Sequence, residues 1–228
     1  MDRVKPQPQS DVYIPVCVKH NKQMYASHNA EDPLLTTVGL DKKEVLQDVG
    51  FILPSDIIDF VMRQDKSVAE SSFFSEGIQE VEKFWLNEQP DHIQRLRLQR
   101  EEFASTLPIC WHEDAVPHFQ NDTATFYSWS TPLTFGGAWT SRNCFVGLPT
   151  SQMTKATRRK ILQVLSWDMR TLSSGIRPEA NHEGKPLTGK RLDLASKPLA
   201  GGWKGKFCFW KGDAEARWHA HDTGHDLV

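Results

Sequence analysis

The sequence predicts an α/β protein in which a helical region precedes a mixed β-sheet. Three observations lead there. The apolar runs Leu107-Pro-Ile-Cys-Trp111 and Phe207-Cys-Phe-Trp210 each lead toward a carboxylate, Asp114 and Asp213. Between them, the alternating aromatic segment 124–130 and the apolar segment 143–148 read as two further strands. Residues 154–172 then carry Ile161, Leu165, Met169 and Leu172 on one stripe, the spacing of an amphipathic helix.

The elements follow in order. Residues 1–50 read as largely irregular, with one short strand at 12–18 that Pro15 restricts to a sheet edge. Polar residues 21–37 read as loop. Residues 51–105 form the helical region. Ser55 is placed to cap a helix at 56–62. A second helix starts at Ser75-Glu-Gly77, carries Ile78, Val81, Phe84 and Trp85, and ends at Pro90. A third runs from Asp91 through Ile93, Leu96, Arg100 and Phe103. Its other faces bear Arg95, Arg97 and Arg100, which read as a solvated surface. The sheet begins near Thr106, with a loop or bulge at 134–141 and Pro149 closing the third strand. After helix 154–172, Gly175 is placed as its C-terminal cap. Residues 176–205 read mainly as loop, 206–211 as the last strand, and 213–221 as a helical start.

Composition excludes several classes. The 228 residues include 39% hydrophobic and 25% charged side chains, ordinary values for a globular chain with a core. Lys plus Arg total 27 against 29 acidic residues, so any basic surface must be local. No apolar run approaches the ~20 residues of a membrane span. The polar first ten residues lack the apolar stretch of a signal peptide. Cys17, Cys110, Cys144 and Cys208 form no C-x-x-C pair, which fits a reducing intracellular setting, nuclear or cytoplasmic. Five tryptophans (Trp85, Trp111, Trp129, Trp167 and Trp210) lie in apolar patterns and read as core.

The carboxylate pair suggests chemistry. Two parallel strands that present Asp114 and Asp213 at one sheet edge could share Mg²⁺ or Mn²⁺, the ions that oxygen ligands favour. Two-metal phosphodiester cleavage uses such a pair. The competing reading makes each Asp a turn residue at the end of a strand. A different metal reading uses His112 and Asp114, whose H-x-D spacing puts both on one face of a strand. With His219, His221 or His225 they would resemble a mononuclear iron site. That architecture needs about eight strands of jelly roll, and the middle of this chain reads as helix. The basic cluster Lys155, Arg158, Arg159 and Lys160 is the candidate nucleic-acid contact.

The predicted strand order is the one a ribonuclease H-like core uses. Leu107-Pro-Ile-Cys-Trp-His-Glu-Asp114-Ala-Val-Pro117, Phe84-Trp85 and Phe209-Trp-Lys-Gly-Asp213-Ala-Glu-Ala-Arg217 resemble a multicopy protein family of marine algal protists. That family's pattern is similar to cut-and-paste DNA transposases with a ribonuclease H-like core. The resemblance covers roughly residue 53 to the C-terminus. It implies a core at 106–228, metal-ligand and catalytic roles for Asp114 and Asp213, weakly held Mg²⁺ or Mn²⁺, and DNA as partner. Two departures stand out. Glu113 occupies a position where the family commonly has Gly. The chain also ends at Val228, too soon for the helix that brings a third carboxylate, and Glu215 lies too early for that role. The expectation is therefore a core incomplete at its C-terminus, a fragment or decayed relative without activity. The alternative is a non-catalytic derivative that binds nucleic acid or protein.

Overall fold

The computed structural model describes residues 12–20, 43–119, 122–136 and 141–211. Asp213, Glu215, His219, His221, Asp222, His225 and Asp226 lie outside the described residues.

A four-stranded mixed sheet organises the chain, in the order β5-β4-β3-β6. β3 (Thr106–Phe119), β4 (Asp122–Ser130) and β5 (Asn143–Pro149) form an antiparallel meander. β6 (Lys204–Lys211) returns parallel to β3, with Ile109 opposite Phe207 and His112 opposite Lys211. The long helix expected at 154–172 lies between β5 and β6 in the chain, at Lys155–Ser174, and is α5 below. Thr154 caps it: its hydroxyl accepts the Thr157 N–H, and its own N–H donates to the Thr157 hydroxyl, both at 3.0 Å. Gly175 ends it at φ 69°, a left-handed cap that costs glycine little.

α5 packs against β6 at Gly205. A Cβ there would stand 2.7 Å from Ile109 Cδ1 and 3.3 Å from Leu172 Cβ. Only a residue without a side chain lets the helix approach the strand so closely. The stripe Ile161, Leu165, Met169 and Leu172 is buried as expected. It joins Trp111, Trp129, Phe145 and Phe51 in one core. Trp111 and Phe51 both meet Phe145 edge-on, at 4.9 and 5.1 Å between ring centres.

The N-terminal half differs from expectation in several places. The 12–18 strand extends to β1 (Val12–His20), and it pairs antiparallel with β2 (Lys43–Phe51), where no strand was expected. Alternation at Val45, Val49 and Phe51 was the available signal, diluted by Lys43, Glu44, Gln47 and Asp48. α1 (Pro54–Met62) starts earlier than its expected cap. Leu53 is the N-cap, and Ser55 sits inside the first turn. α2 (Lys66–Phe73) was not expected. α3 (Glu80–Asn87) begins later than the 75–77 start. The third helix is split into α4 (Pro90–Arg95) and a 3₁₀ turn at Arg100–Ser105, with Arg97 left-handed at φ 50° between them. The break lets Leu98 be buried along with Leu96 and Phe103, whereas a continuous helix would keep Leu96 and Phe103 on one face and turn Leu98 away from it. Within 176–205, mostly loop, a short α6 (Gly189–Asp193) occurs. Among the described residues no helix is long and apolar enough to cross a membrane.

A buried polar network ties α1 to the rest. Asp168, fully buried on α5, accepts the Ser55 N–H at 3.0 Å and the Ser55 hydroxyl. Asp59 accepts from Arg63, Arg177 and the Ala200 N–H. Asp56 pairs with Arg191. Each carboxylate here is satisfied by geometry that only the fold provides.

Candidate functional site

Residues His112, Glu113 and Asp114 lie near the end of the β3–β6 pairing, and strand alternation sends them to opposite faces. The sequence reading ended the first strand at Asp114. β3 instead continues through Pro117, with Asp114 opposite Phe126 of β4. Asp114 is therefore mid-strand along β4 but two residues beyond the last β3–β6 pair, His112 with Lys211.

On one face, Asp114 forms an ion pair with Arg142, whose side chain is about one-third exposed. Beside it, His112 is buried and its Nε2 lies 2.8 Å from the Ser130 hydroxyl. Burial, followed by the charges of Arg142 and Lys211, pushes His112 down to about 4, with Asp114 opposing. The imidazole is neutral at pH 7 and already hydrogen-bonded.

On the other face, Glu113 is buried against α5. The Tyr127 hydroxyl donates to its Oε1 at 2.9 Å, and Arg158 stands 3.6 Å from the same oxygen. That separation is too long for a hydrogen bond and short enough for strong attraction at a buried pair. Burial, with the Glu113 charge next, drives the Tyr127 phenol well above its ordinary range.

The candidate nucleic-acid residues divide in the same way. Lys155 and Arg159 are exposed. Arg158 turns inward to Glu113, and Lys160 bonds Glu183 at 2.7 Å. Arg158 sits three residues before Ile161 and so continues the buried stripe; that spacing was readable in the sequence. Tyr127, Ser130 and Lys211 were not singled out from the sequence. Tyr127 and Ser130 belong to an alternating strand, but nothing local marks Arg142 as the partner of Asp114.

Among the described residues, no group of three or more His, Cys, Asp or Glu side chains is arranged to hold a metal ion. Of the tryptophans, Trp85, Trp111, Trp129 and Trp167 are buried, and Trp210 is partly so. Trp203, read from sequence as a loop residue, packs on Phe74. Comparison with protein-family models, curated protein sequences and solved structures finds no match for this chain.

Proposed function

We propose that this chain carries a ribonuclease H-like core of the DNA transposase class, and that it holds nucleic acid without cutting it. The supporting observation is the sheet: an antiparallel meander β3-β4-β5, then a long helix, then β6 parallel to β3 on its free side. In cores of that kind, the first strand and the strand parallel to it each contribute a carboxylate. Asp114 occupies the first of these positions. Asp213, two residues after Lys211 in the sequence, is assigned the second.

Mg²⁺ or Mn²⁺ would be the ions of such a centre, yet the described residues do not fit a two-metal site. The Arg142 guanidinium already neutralises Asp114, and Glu113 faces the opposite way into Tyr127 and Arg158. A cation would have to displace Arg142 before Asp114 could ligate it. No cleavage step is therefore assigned.

Substituting Arg142 tests this. Mn²⁺ binding to the full chain, read by electron paramagnetic resonance, is expected to be weak in the wild type. It should tighten about tenfold in Arg142→Gln, a gain of about 1.4 kcal/mol. Adding Asp114→Asn or Asp213→Asn should remove the gain. Indifference of the Arg142→Gln protein to both aspartates overturns the core assignment. Robust nicking of supercoiled DNA by the wild type, lost in Asp114→Asn, overturns the non-cutting part alone.

A further inference from the structure

At the far end of the β3–β6 pair from Asp114 lies a cleft of about 340 Å³. It is lined by Arg95, Leu96 and Arg97 at the end of α4, Met169, Arg170 and Ser173 of α5, and Lys206 and Phe207 of β6. Lys206 stands opposite Pro108, six residues along β3 from Asp114, so the two places are separated by about 20 Å at a strand rise of ~3.3 Å.

Four of the eight lining residues are cations, and none is acidic. Among the described residues, Arg95, Arg97, Arg170 and Lys206 form no salt bridge. Arg170 donates to the Ser166 hydroxyl at 2.9 Å, and Lys206 donates to the Ser173 hydroxyl at 2.6 Å. The nearby Glu102 is already engaged by Lys204 and by the Gln99 N–H. Burial, opposed by the Glu102 charge and aided by Lys204 and Arg97, pulls Lys206 below its ordinary range. Arg97 is held at φ 50°, a conformation costing a non-glycine residue on the order of 1 kcal/mol. Four like charges line one cleft with no carboxylate among them, and the partly buried Lys206 gains most from an anion seated there. Leu96, Met169 and Phe207 add an apolar lining, so the cleft can take an organic group beside the anion.

We propose that this cleft binds a polyphosphate group, with two neighbouring phosphates seated between the Arg95 and Arg97 wall and the Arg170 and Lys206 wall. Guanidinium forks match phosphate oxygens in pairs, while Lys206 supplies a point charge. The group can come from a free nucleotide or from consecutive links of a nucleic-acid strand. The site does not depend on the ribonuclease H-like assignment, since none of its residues belongs to the Asp114 surroundings.

The test is calorimetric titration of the full chain with inorganic pyrophosphate at low salt. Saturable binding at one site per chain is expected, weakened at least about tenfold in Arg97→Gln and in Lys206→Gln. Lys206→Arg should retain most of the affinity, and Lys190→Gln, on α6, should leave it unchanged. Absence of saturable binding overturns the proposal, as does equal affinity in the wild type and Arg97→Gln. An eight-residue oligothymidylate then identifies the source. Displacement of pyrophosphate with the same sensitivity to both variants supports the site with a strand backbone as ligand. Pyrophosphate binding that the oligonucleotide leaves untouched supports it with a small phosphorylated ligand.

Discussion

Asp168, in the C-terminal half of α5, receives both the backbone N–H and the hydroxyl of Ser55 in the first turn of α1. The contact ties the helix that crosses between β5 and β6 to the helical region. Burial raises Asp168 to about 7, against the opposing Ser55 hydrogen bonds. Its folded pKa thus exceeds its unfolded value near 4, so the folded chain binds the proton more tightly. Its contribution to stability is greatest at low pH and declines as pH rises from about 4 to about 7. Asp168→Asn keeps an acceptor for Ser55 and removes that titration. Urea denaturation should show the variant gaining on the wild type as pH rises, by on the order of 2 kcal/mol at pH 8 relative to pH 5. A gain that shrinks with rising pH would contradict the assignment.

His112 has the opposite sign. Its folded pKa of about 4 lies below the unfolded value near 6.5. Its contribution is complete above about pH 6.5 and is lost as pH falls toward 4. Between those limits it opposes Asp168 and flattens the profile of the wild type. His112→Gln, which can still bond Ser130, should lose less stability on acidification than the wild type, by about 2 kcal/mol between pH 7 and pH 4.5. Parallel acid profiles for the two proteins would argue against a buried neutral imidazole.

The buried group of Glu113, Tyr127 and Arg158 should behave as a unit. Glu113→Gln leaves the mostly buried Arg158 without its counter-charge, and should cost about 3 kcal/mol. Tyr127→Phe removes one donor to a charged acceptor and should cost about 1.5–3 kcal/mol. A double-mutant cycle for Glu113→Gln and Arg158→Gln should return a coupling of about 1 kcal/mol or more. Additive effects would mean that the 3.6 Å pair contributes little.

DNA binding, if it uses the start of α5, should depend on Lys155 and Arg159 and not on all four basic residues named from the sequence. The double variant Lys155→Gln/Arg159→Gln should lower the slope of log affinity against log salt by about 2, one unit per phosphate contact. Lys160→Gln should leave the slope unchanged because Lys160 is committed to Glu183. Gel-shift titrations at several salt concentrations read this directly. An effect of Lys160→Gln as large as that of the double variant would overturn the division.

Periodicity and punctuation determined the strand, strand, strand, helix, strand succession from residue 106, because alternation and the 3.6-residue stripe are local properties. The same local rules placed the C-terminal cap of α5 at Gly175, while the reciprocal Thr154–Thr157 cap at its start emerged from the structure. They also carried the parallel pairing of β3 with β6, since a long helix between two apolar strands leaves little other choice. Tertiary structure decided the rest. Whether β3 stops at Asp114 depends on β4 pairing alongside it, and that pairing carries the strand on to Phe119. Which cation meets Asp114 depends on the chain bringing Arg142 back beside β3. Arg95 and Arg97 read as a solvated helix face; α4 instead ends at Arg95, the chain turns left-handed at Arg97, and both line a cleft with Arg170 and Lys206. Hydrophobic spacing records which face is buried; the partner of a charge is set by distance in space, which no sequence window contains.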